Sequence, residues 1–79
     1  MNLDHLIPQL HHHVAEKNYT RSRDLVSTLP HPDAAELLGT LHPTDALIIL
    51  MALEPEHRSA VFRYLPPPEQ AAIARCMNQ

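Results

Sequence analysis

The sequence of 79 residues has little of several residue types that carry chemistry in other small proteins. It contains one cysteine, one glycine, one phenylalanine and no tryptophan. The single cysteine, Cys76, excludes an internal disulfide, so we expect a reducing, cytosolic setting rather than a stapled secreted fold. The single glycine, Gly39, excludes a glycine-rich phosphate loop. The chain has only six Lys and Arg residues and a formal net charge of −3, which excludes the basic surface typical of a nucleic-acid-binding protein.

Long apolar runs are also missing. The most apolar stretch, Ala46–Leu53, is far shorter than the ~20 residues of a membrane-spanning helix. The opening residues, MNLDHLIPQLHHH, lack the basic start and the long apolar core of a signal peptide. No G-x-S-x-G, H-E-x-x-H or P-loop motif occurs. We therefore expect that this chain does not itself span a membrane and that it is not an enzyme.

Proline, in contrast, is abundant, with eight residues. Most of the prolines lie in a sequence repeat of twelve residues that fills the second half of the chain. The four units are Leu29–Thr40, Leu41–Ala52, Leu53–Tyr64 and Leu65–Cys76. In every unit the first residue is leucine and the ninth is aliphatic, while the third is proline in three units and the fifth is acidic in three. A fixed period of this kind is typical of repeat proteins, in which each unit buries its apolar face against its neighbours.

Helix signals recur at the same place in each unit. Proline suits the first turn of a helix, and it keeps the residue before it out of the helical region. The acid two positions later complements the positive end of the helix dipole. We therefore predict an all-α chain without strands, with breaks near Pro30, Pro43, Pro55 and Pro66. The helix over Ala46–Leu53 is apolar on almost every side and is predicted to be the buried middle of the stack.

Two further helices are predicted before the repeats. Apolar residues recur at helical spacing over residues 3–17, and we place the start of this helix close to Pro8. Thr20 is predicted to cap a second, short helix that ends at Ser27 or Thr28. The chain is thus divided into a lead-in helix pair over residues 1–28 and four repeat units over residues 29–79. We expect a single domain over residues 1–79 that is the N-terminal fragment of a larger protein.

The repeat units resemble a known family. The phrases HPDAAELLGTL and HPTDALIIL, followed by LEPEHR at Leu53–Arg58 and by LPPPEQAAIA, are similar to the cytosolic N-terminal domain of MgtE-type magnesium transporters. The stretch Val14–Leu29 resembles the lead-in helix pair of that family. The resemblance implies a right-handed superhelix (a solenoid) of short helices, here with a twelve-residue repeat.

The same resemblance implies a function. In this family the domain precedes a pair of CBS modules and a transmembrane magnesium pore, at the cytoplasmic face of the inner (plasma) membrane. Magnesium bound among acidic residues between the N domain and the CBS modules holds the closed state, and its loss favours opening. We therefore expect a magnesium-sensing, gating domain whose partners are the CBS modules and the pore of the same transporter.

Acidic residues are the candidates for contact with magnesium. Residues 27–79 hold six acids against three arginines, so the negative excess lies on the repeats. Asp33, Asp45 and Glu69 recur at helix starts, where the dipole accounts for them. The metal candidates are Glu36, Glu54 and Glu56, which lack that explanation. Because a hard cation needs about six oxygen ligands, we expect binding to be weak unless a second module contributes at the interface.

The end of the stack and the faces of the helices are the candidates for protein contact. Leu65, Ile73 and Met77 are predicted to leave an apolar interaction surface for a continuing chain, a partner or a second copy in a homodimer. An alternative function is a stand-alone adaptor similar to the flagellar rotor protein FliG, which has a related armadillo-like repeat. Its groove would bind a partner helix through Leu38, Leu50 and Phe62. An enzyme accessory subunit is a third alternative.

Overall fold

A computed structural model describes residues 2–78, which form six α-helices. The helices are α1 (Leu6–Ala15), α2 (Tyr19–Ser27), α3 (His31–Leu38), α4 (Pro43–Ala52), α5 (Pro55–Tyr64) and α6 (Pro67–Met77). Residues 2–78 contain no strand, so the prediction of an all-α fold is confirmed. None of the helices in this part of the chain combines the length and the apolar character that crossing a bilayer requires.

The last four helices begin where the sequence units predict. Each starts at the third position of its unit, and that residue is proline in α4, α5 and α6. The residue before each start has a ψ angle between 141° and 149°, which is extended backbone. Before α4, α5 and α6 the following proline enforces this extended residue, and proline also suits the first helical position. The predicted breaks near the four prolines are therefore confirmed.

The first two helices agree with the prediction in one boundary and differ in another. Pro8 is the third residue of α1, in its first turn, as predicted. The predicted cap at Thr20 is wrong, because α2 begins at Tyr19 and Asn18 caps it by accepting a 3.2 Å hydrogen bond from the Arg21 amide. Lys17 ends the turn before it with a φ of 59°, which frees Asn18 for the cap position. Asparagine is a stronger cap than threonine, so the helix begins at the earlier site.

The core contains the aliphatic ninth residue of every repeat unit. These residues, Leu37, Ile49, Val61 and Ile73, are all buried in one hydrophobic cluster. The most extensive packing joins each helix to the second helix along the chain, α5 to α3 and α6 to α4, and α2 also packs on α4. Helix α1 packs on α2 and α3. The chain is thus arranged so that alternate helices are neighbours.

The expectation that the second repeat helix is the buried middle of the stack is confirmed for one side of the helix only. Ala46, Ile49 and Leu50 of α4 are buried, but Ile48 is 38 % exposed and Met51 is 53 % exposed. Helices α2, α5 and α6 contact α4 and bury part of its circumference, which leaves the remaining face open. Helix α3 is the more deeply buried helix, with half of its eight residues in the core.

Candidate functional site

An apolar groove of about 170 Å³ lies between α4, α5 and α6. Its lining residues are Leu47, Leu50, Met51, Arg58, Ser59, Phe62, Ile73 and Met77. Leu50 and Ile73 are buried, whereas Met51 and Met77 are 53 % and 59 % exposed. The lining therefore combines side chains fixed in the core with two flexible methionines that face solvent.

The groove gathers only part of the residues predicted for protein contact. Leu50 and Phe62 of the adaptor hypothesis line it, but Leu38 is buried elsewhere in the core. Leu65 and Ile73 are both only 3 % exposed, so they pack inside the chain instead of forming an exposed surface at its end. Ile73 is covered because α6 turns its apolar side onto α4, and Leu65, which follows the end of α5, belongs to the same core cluster. Of the three residues predicted for that surface, only Met77 is open to a partner, and its contact with one stays a prediction.

Arg58 has a structural role in the groove that sequence reasoning missed. Its Nε donates to the Leu50 carbonyl at 2.9 Å, and its Nη2 donates to the carbonyls of Met51 and Leu53 at 3.2 and 3.0 Å. These carbonyls lie at or just beyond the last turn of α4, where backbone acceptors lack helical partners and the dipole is negative. Arg58 thereby fixes α5 to the end of α4.

Gln70 makes the equivalent contact one unit later. Its Nε2 donates to the Phe62 carbonyl at 2.9 Å and so caps the end of α5 from α6. Arg58 and Gln70 both occupy the sixth position of their units, and each reaches a carbonyl eight residues earlier. The first two units have alanine at this position, so the change from small to polar residues was the available sequence signal.

The three acids predicted as metal candidates lie on two helices, and all are exposed. Glu54 is the N-cap of α5 and Glu56 is its second residue, so the helix dipole accounts for both of them. Glu36 is the sixth of the eight residues of α3, near the negative end of that helix, where the dipole disfavours an acid. It lines a surface cavity of about 160 Å³ together with Asn2 and Asp4.

A complete metal centre is not assembled by these side chains. Within residues 2–78, no group of three or more His, Cys, Asp or Glu residues is arranged to hold a metal ion. The cavity beside Glu36 offers two carboxylates and one amide oxygen, which are the ligand types that magnesium prefers. Since magnesium takes about six oxygen ligands, the described part of the chain supplies at most a share of a site.

Two histidines lie at the starts of neighbouring helices. The rings of His31 in α3 and His57 in α5 meet edge to face with centroids 4.7 Å apart. The Nε2 atom of His57 is buried and has no hydrogen-bond partner within residues 2–78. His42 instead caps α4, because its Nδ1 accepts from the Thr44 amide at 3.3 Å. The rings therefore serve in packing and capping.

A hydrogen bond ties the second helix to the fourth. The hydroxyl of Tyr19 donates to the carboxylate of Asp45 at 3.2 Å. Partial burial raises the pKa of Tyr19 above its usual value of 10.0, and the negative charge and hydrogen bond of Asp45 raise it further. Asp45 is the third residue of α4, so one carboxylate serves both the helix dipole and a contact between helices.

Comparison with known proteins gives one result. The family model described as the MgtE intracellular N domain matches residues 7–79. Comparison with curated proteins and with solved structures gives no match. The match includes all six helices almost completely, together with the groove and the three predicted acids.

Proposed function

The chain belongs to the family of MgtE intracellular N domains, and from that premise we propose that it is the regulatory, magnesium-sensing domain of a magnesium transporter. The family match over residues 7–79 is the observation that carries the proposal. The domain acts at the cytoplasmic face of the membrane, by contact with neighbouring CBS modules. Its family is that of a transporter region and not of an enzyme.

Regulation by such a domain is a shift between two arrangements of neighbouring modules. A cation held between carboxylates of two modules stabilises the arrangement that brings them together. The part of this chain is to present oxygen ligands on its surface, at a place that a second module can reach. The exposed acids and the negative excess of residues 27–79 support this role.

Glu36 ranks first among the three candidate acids. Helix dipoles stabilise Glu54 and Glu56 at the start of α5, and the same positive end repels a cation. Glu36 has no such stabilisation, and it lines a cavity with a second carboxylate, that of Asp4. Because the helix dipole disfavours an acid at the position of Glu36, this residue is the better candidate for a role in binding a cation.

We also propose that the helices form a right-handed superhelix with a twelve-residue repeat. Helices α3 to α6 start at His31, Pro43, Pro55 and Pro67, at equal intervals. Packing of α5 on α3 and of α6 on α4 supports the arrangement, because each new helix covers the helix two places before it. The hand of the superhelix comes from the family and not from these contacts.

Magnesium titration of two forms of the protein tests the regulatory function. The 79-residue chain alone is expected to bind magnesium with a Kd in the millimolar range or weaker, which corresponds to a binding free energy of about −4 kcal/mol or one less favourable. Attachment of the CBS modules is expected to tighten binding, because they supply the missing ligands. Calorimetry or chemical-shift titration measures both affinities.

Substitutions connect the measurement to the acids. Glu36→Gln is expected to weaken binding most, and Glu54→Gln and Glu56→Gln less. Glu16→Gln is the matched control, since Glu16 is an exposed acid at the end of α1 outside the repeat units. Equal affinity with and without the CBS modules would contradict a sensor at the interface. No magnesium response in either form would favour the adaptor function instead.

A further inference from the structure

We propose that the groove between α4, α5 and α6 is a docking site for an amphipathic helix of a partner, with carboxylates beside its apolar face. The groove shares none of Glu36, Glu54 and Glu56 and needs no cation. The proposal therefore goes beyond magnesium sensing, and either can fail without the other.

The size and lining of the groove suit the side chains of a helix. Pockets for drug-sized molecules have volumes of about 300–1,000 Å³, and this groove has about 170 Å³. That space accommodates apolar side chains from about one helical turn. Met51 and Met77 stand at the solvent side, and their unbranched side chains adapt to the shape of an incoming residue.

Other forms of peptide recognition fit less well. An added β-strand needs an exposed sheet edge, and residues 2–78 have no strand. A polyproline segment docks in grooves lined by aromatic residues, and Phe62 is the only aromatic residue in this lining. Helix-in-groove docking needs an apolar channel between helices, which α4, α5 and α6 provide.

The charge of the groove defines its occupant. Arg58 is the only charged residue in the lining, and none of the lining residues is acidic. Its Nε and Nη2 bind the carbonyls at the end of α4, whereas Nη1 donates no hydrogen bond to any of residues 2–78. Arg63, which is exposed, lies one turn beyond Ser59 on the same side of α5. Within residues 2–78 the only ion pair is Arg23–Asp24, so Arg58 in the lining and Arg63 beside it can each donate hydrogen bonds to a carboxylate from outside.

The same charges argue against a second copy of the chain as the occupant. In a two-fold symmetric contact the same surface patch meets itself. Two positive patches without an acidic residue in the lining would then be brought into one interface, and like charges across an interface are unfavourable. An acidic helix from a different protein or module has the complementary charge.

Three synthetic peptides of about four helical turns test the proposal. The first has leucines at positions i, i+4 and i+7 and glutamates beside them, the second has lysine in place of each glutamate, and the third is a scrambled form of the first. Fluorescence anisotropy of dye-labelled peptide measures affinity for the 79-residue chain, and amide chemical shifts locate the contact. We expect the glutamate peptide to bind about tenfold more tightly than the lysine peptide. Its largest shifts are expected at the groove.

Matched substitutions at exposed positions locate the apolar and charged parts of the contact. Met51→Gln with Met77→Gln is expected to weaken the glutamate peptide about tenfold, whereas Ile48→Gln, on the same helix but outside the lining, leaves affinity unchanged. Arg63→Glu is expected to abolish the preference for the glutamate peptide, because the new carboxylate offsets the charge of Arg58. Arg75→Glu is the control and is expected to keep the original preference, because Arg75 is two residues from both Ile73 and Met77 and so lies on a different side of α6 from the groove.

Several outcomes would overturn the proposal. These are no binding of the glutamate peptide, equal binding of all three peptides, and shifts centred on Ile48 or Tyr64 instead of the groove. Self-association of the chain that disappears in the methionine variants would show that a second copy is the occupant. Circular dichroism of each variant checks that the helices are retained.

Discussion

Helices α3 and α4 repeat the same sequence phrase as α5 and α6, but different interactions hold the two pairs in place. In the first pair the sixth, ninth and tenth positions of each unit are apolar and buried. In the second pair only the ninth position is buried, as Val61 and Ile73. The sixth position is there occupied by Arg58 and Gln70, which bind carbonyls of the preceding helix. At these three positions the first pair is held by burial, and the second by burial of the ninth residue together with polar capping at the sixth.

This difference coincides with the position of the groove, which Arg58 lines. Arg58 at the sixth position binds the carbonyls at the end of α4 and so joins α5 to that end. At the tenth position the second pair has Phe62, which is half-buried, and Ala74, which is exposed. All four units thus share the helix start at the third position and the buried aliphatic residue at the ninth position. The sixth and tenth positions differ between the units, and they determine whether a helix face is buried or exposed.

The largest expected effect is loss of a core side chain in the first pair. Leu50→Ala or Ile49→Ala removes a buried side chain of α4 and leaves a cavity, and we expect a loss of about 2–5 kcal/mol in the free energy of unfolding. In a small domain near the low end of ~5–15 kcal/mol, this comes close to unfolding. Thermal and urea denaturation measure the change.

Met51→Ala is the matched control for the Leu50 substitution. Met51 is the next residue on the same helix but is exposed, so its truncation is expected to change stability by no more than about 0.5 kcal/mol. Equal losses at the two positions would mean that the open face of α4 is covered in solution. No loss at Leu50 would mean that α4 does not belong to the core.

The sequence predicts those parts of the fold that depend on local rules. Proline and the acid two positions later define where α4 and α6 start, and the aliphatic ninth residue of every unit is in the core. The open face of α4 was not predictable in this way, because Ala46–Leu53 is apolar almost all round and its pattern does not say which side meets another helix. That choice depends on contacts with helices two places away in the chain.

The candidate sites show the same limit. Of the three residues named for the groove of the adaptor hypothesis, Leu50 and Phe62 line the groove and Leu38 does not. Burial of Leu65 and Ile73 was not predicted, since it requires knowing that α6 packs on α4. The role of Arg58 was also missed, because its partners are backbone carbonyls, and the change from alanine to a polar residue at the sixth position does not say which group that residue binds.

The second prediction concerns the polar capping of α4. Arg58→Ala removes three hydrogen bonds and leaves the carbonyls at the end of α4 without these partners, so we expect a loss of about 1–3 kcal/mol. Arg58→Lys keeps the charge but not the fork of donors, and is expected to restore only part of the loss. Urea denaturation measures stability, and hydrogen exchange shows whether the end of α4 opens first.

Arg63→Ala is the control for the Arg58 variants. Arg63 is exposed and forms no hydrogen bond or ion pair through its side chain within residues 2–78, so its removal is expected to change stability by less than about 0.5 kcal/mol. If both arginines gave the same loss, net charge and not capping would be the cause.

A smaller effect is expected at the equivalent position of the fourth unit. Gln70→Ala removes one neutral hydrogen bond to the Phe62 carbonyl, and we expect a loss of about 0.5–1.5 kcal/mol. Gln9→Ala is the matched control, because the Gln9 side chain donates a 3.2 Å bond to the His5 carbonyl on an exposed surface. A loss at Gln70 no greater than that at Gln9 would show that α5 and α6 do not depend on polar capping.

The smallest effect concerns the fifth position, where α4 and α6 differ again. Asp45 of α4 accepts a bond from Tyr19, while Glu69 of α6 accepts none through its side chain from residues 2–78. Because the folded chain raises the pKa of Tyr19 above the unfolded value of about 10, the neutral hydroxyl contributes stability that is present below that pH and lost above it. Tyr19→Phe is expected to lower the melting temperature slightly at neutral pH, since the bond is long at 3.2 Å and only partly buried.

From pH about 10 upward the wild-type chain is expected to lose stability more steeply than Tyr19→Phe does. Tyr64→Phe, at an exposed tyrosine, is the control and is expected to follow the wild-type curve. Parallel curves for the wild-type chain and Tyr19→Phe would show that α2 is held to α4 by apolar packing alone.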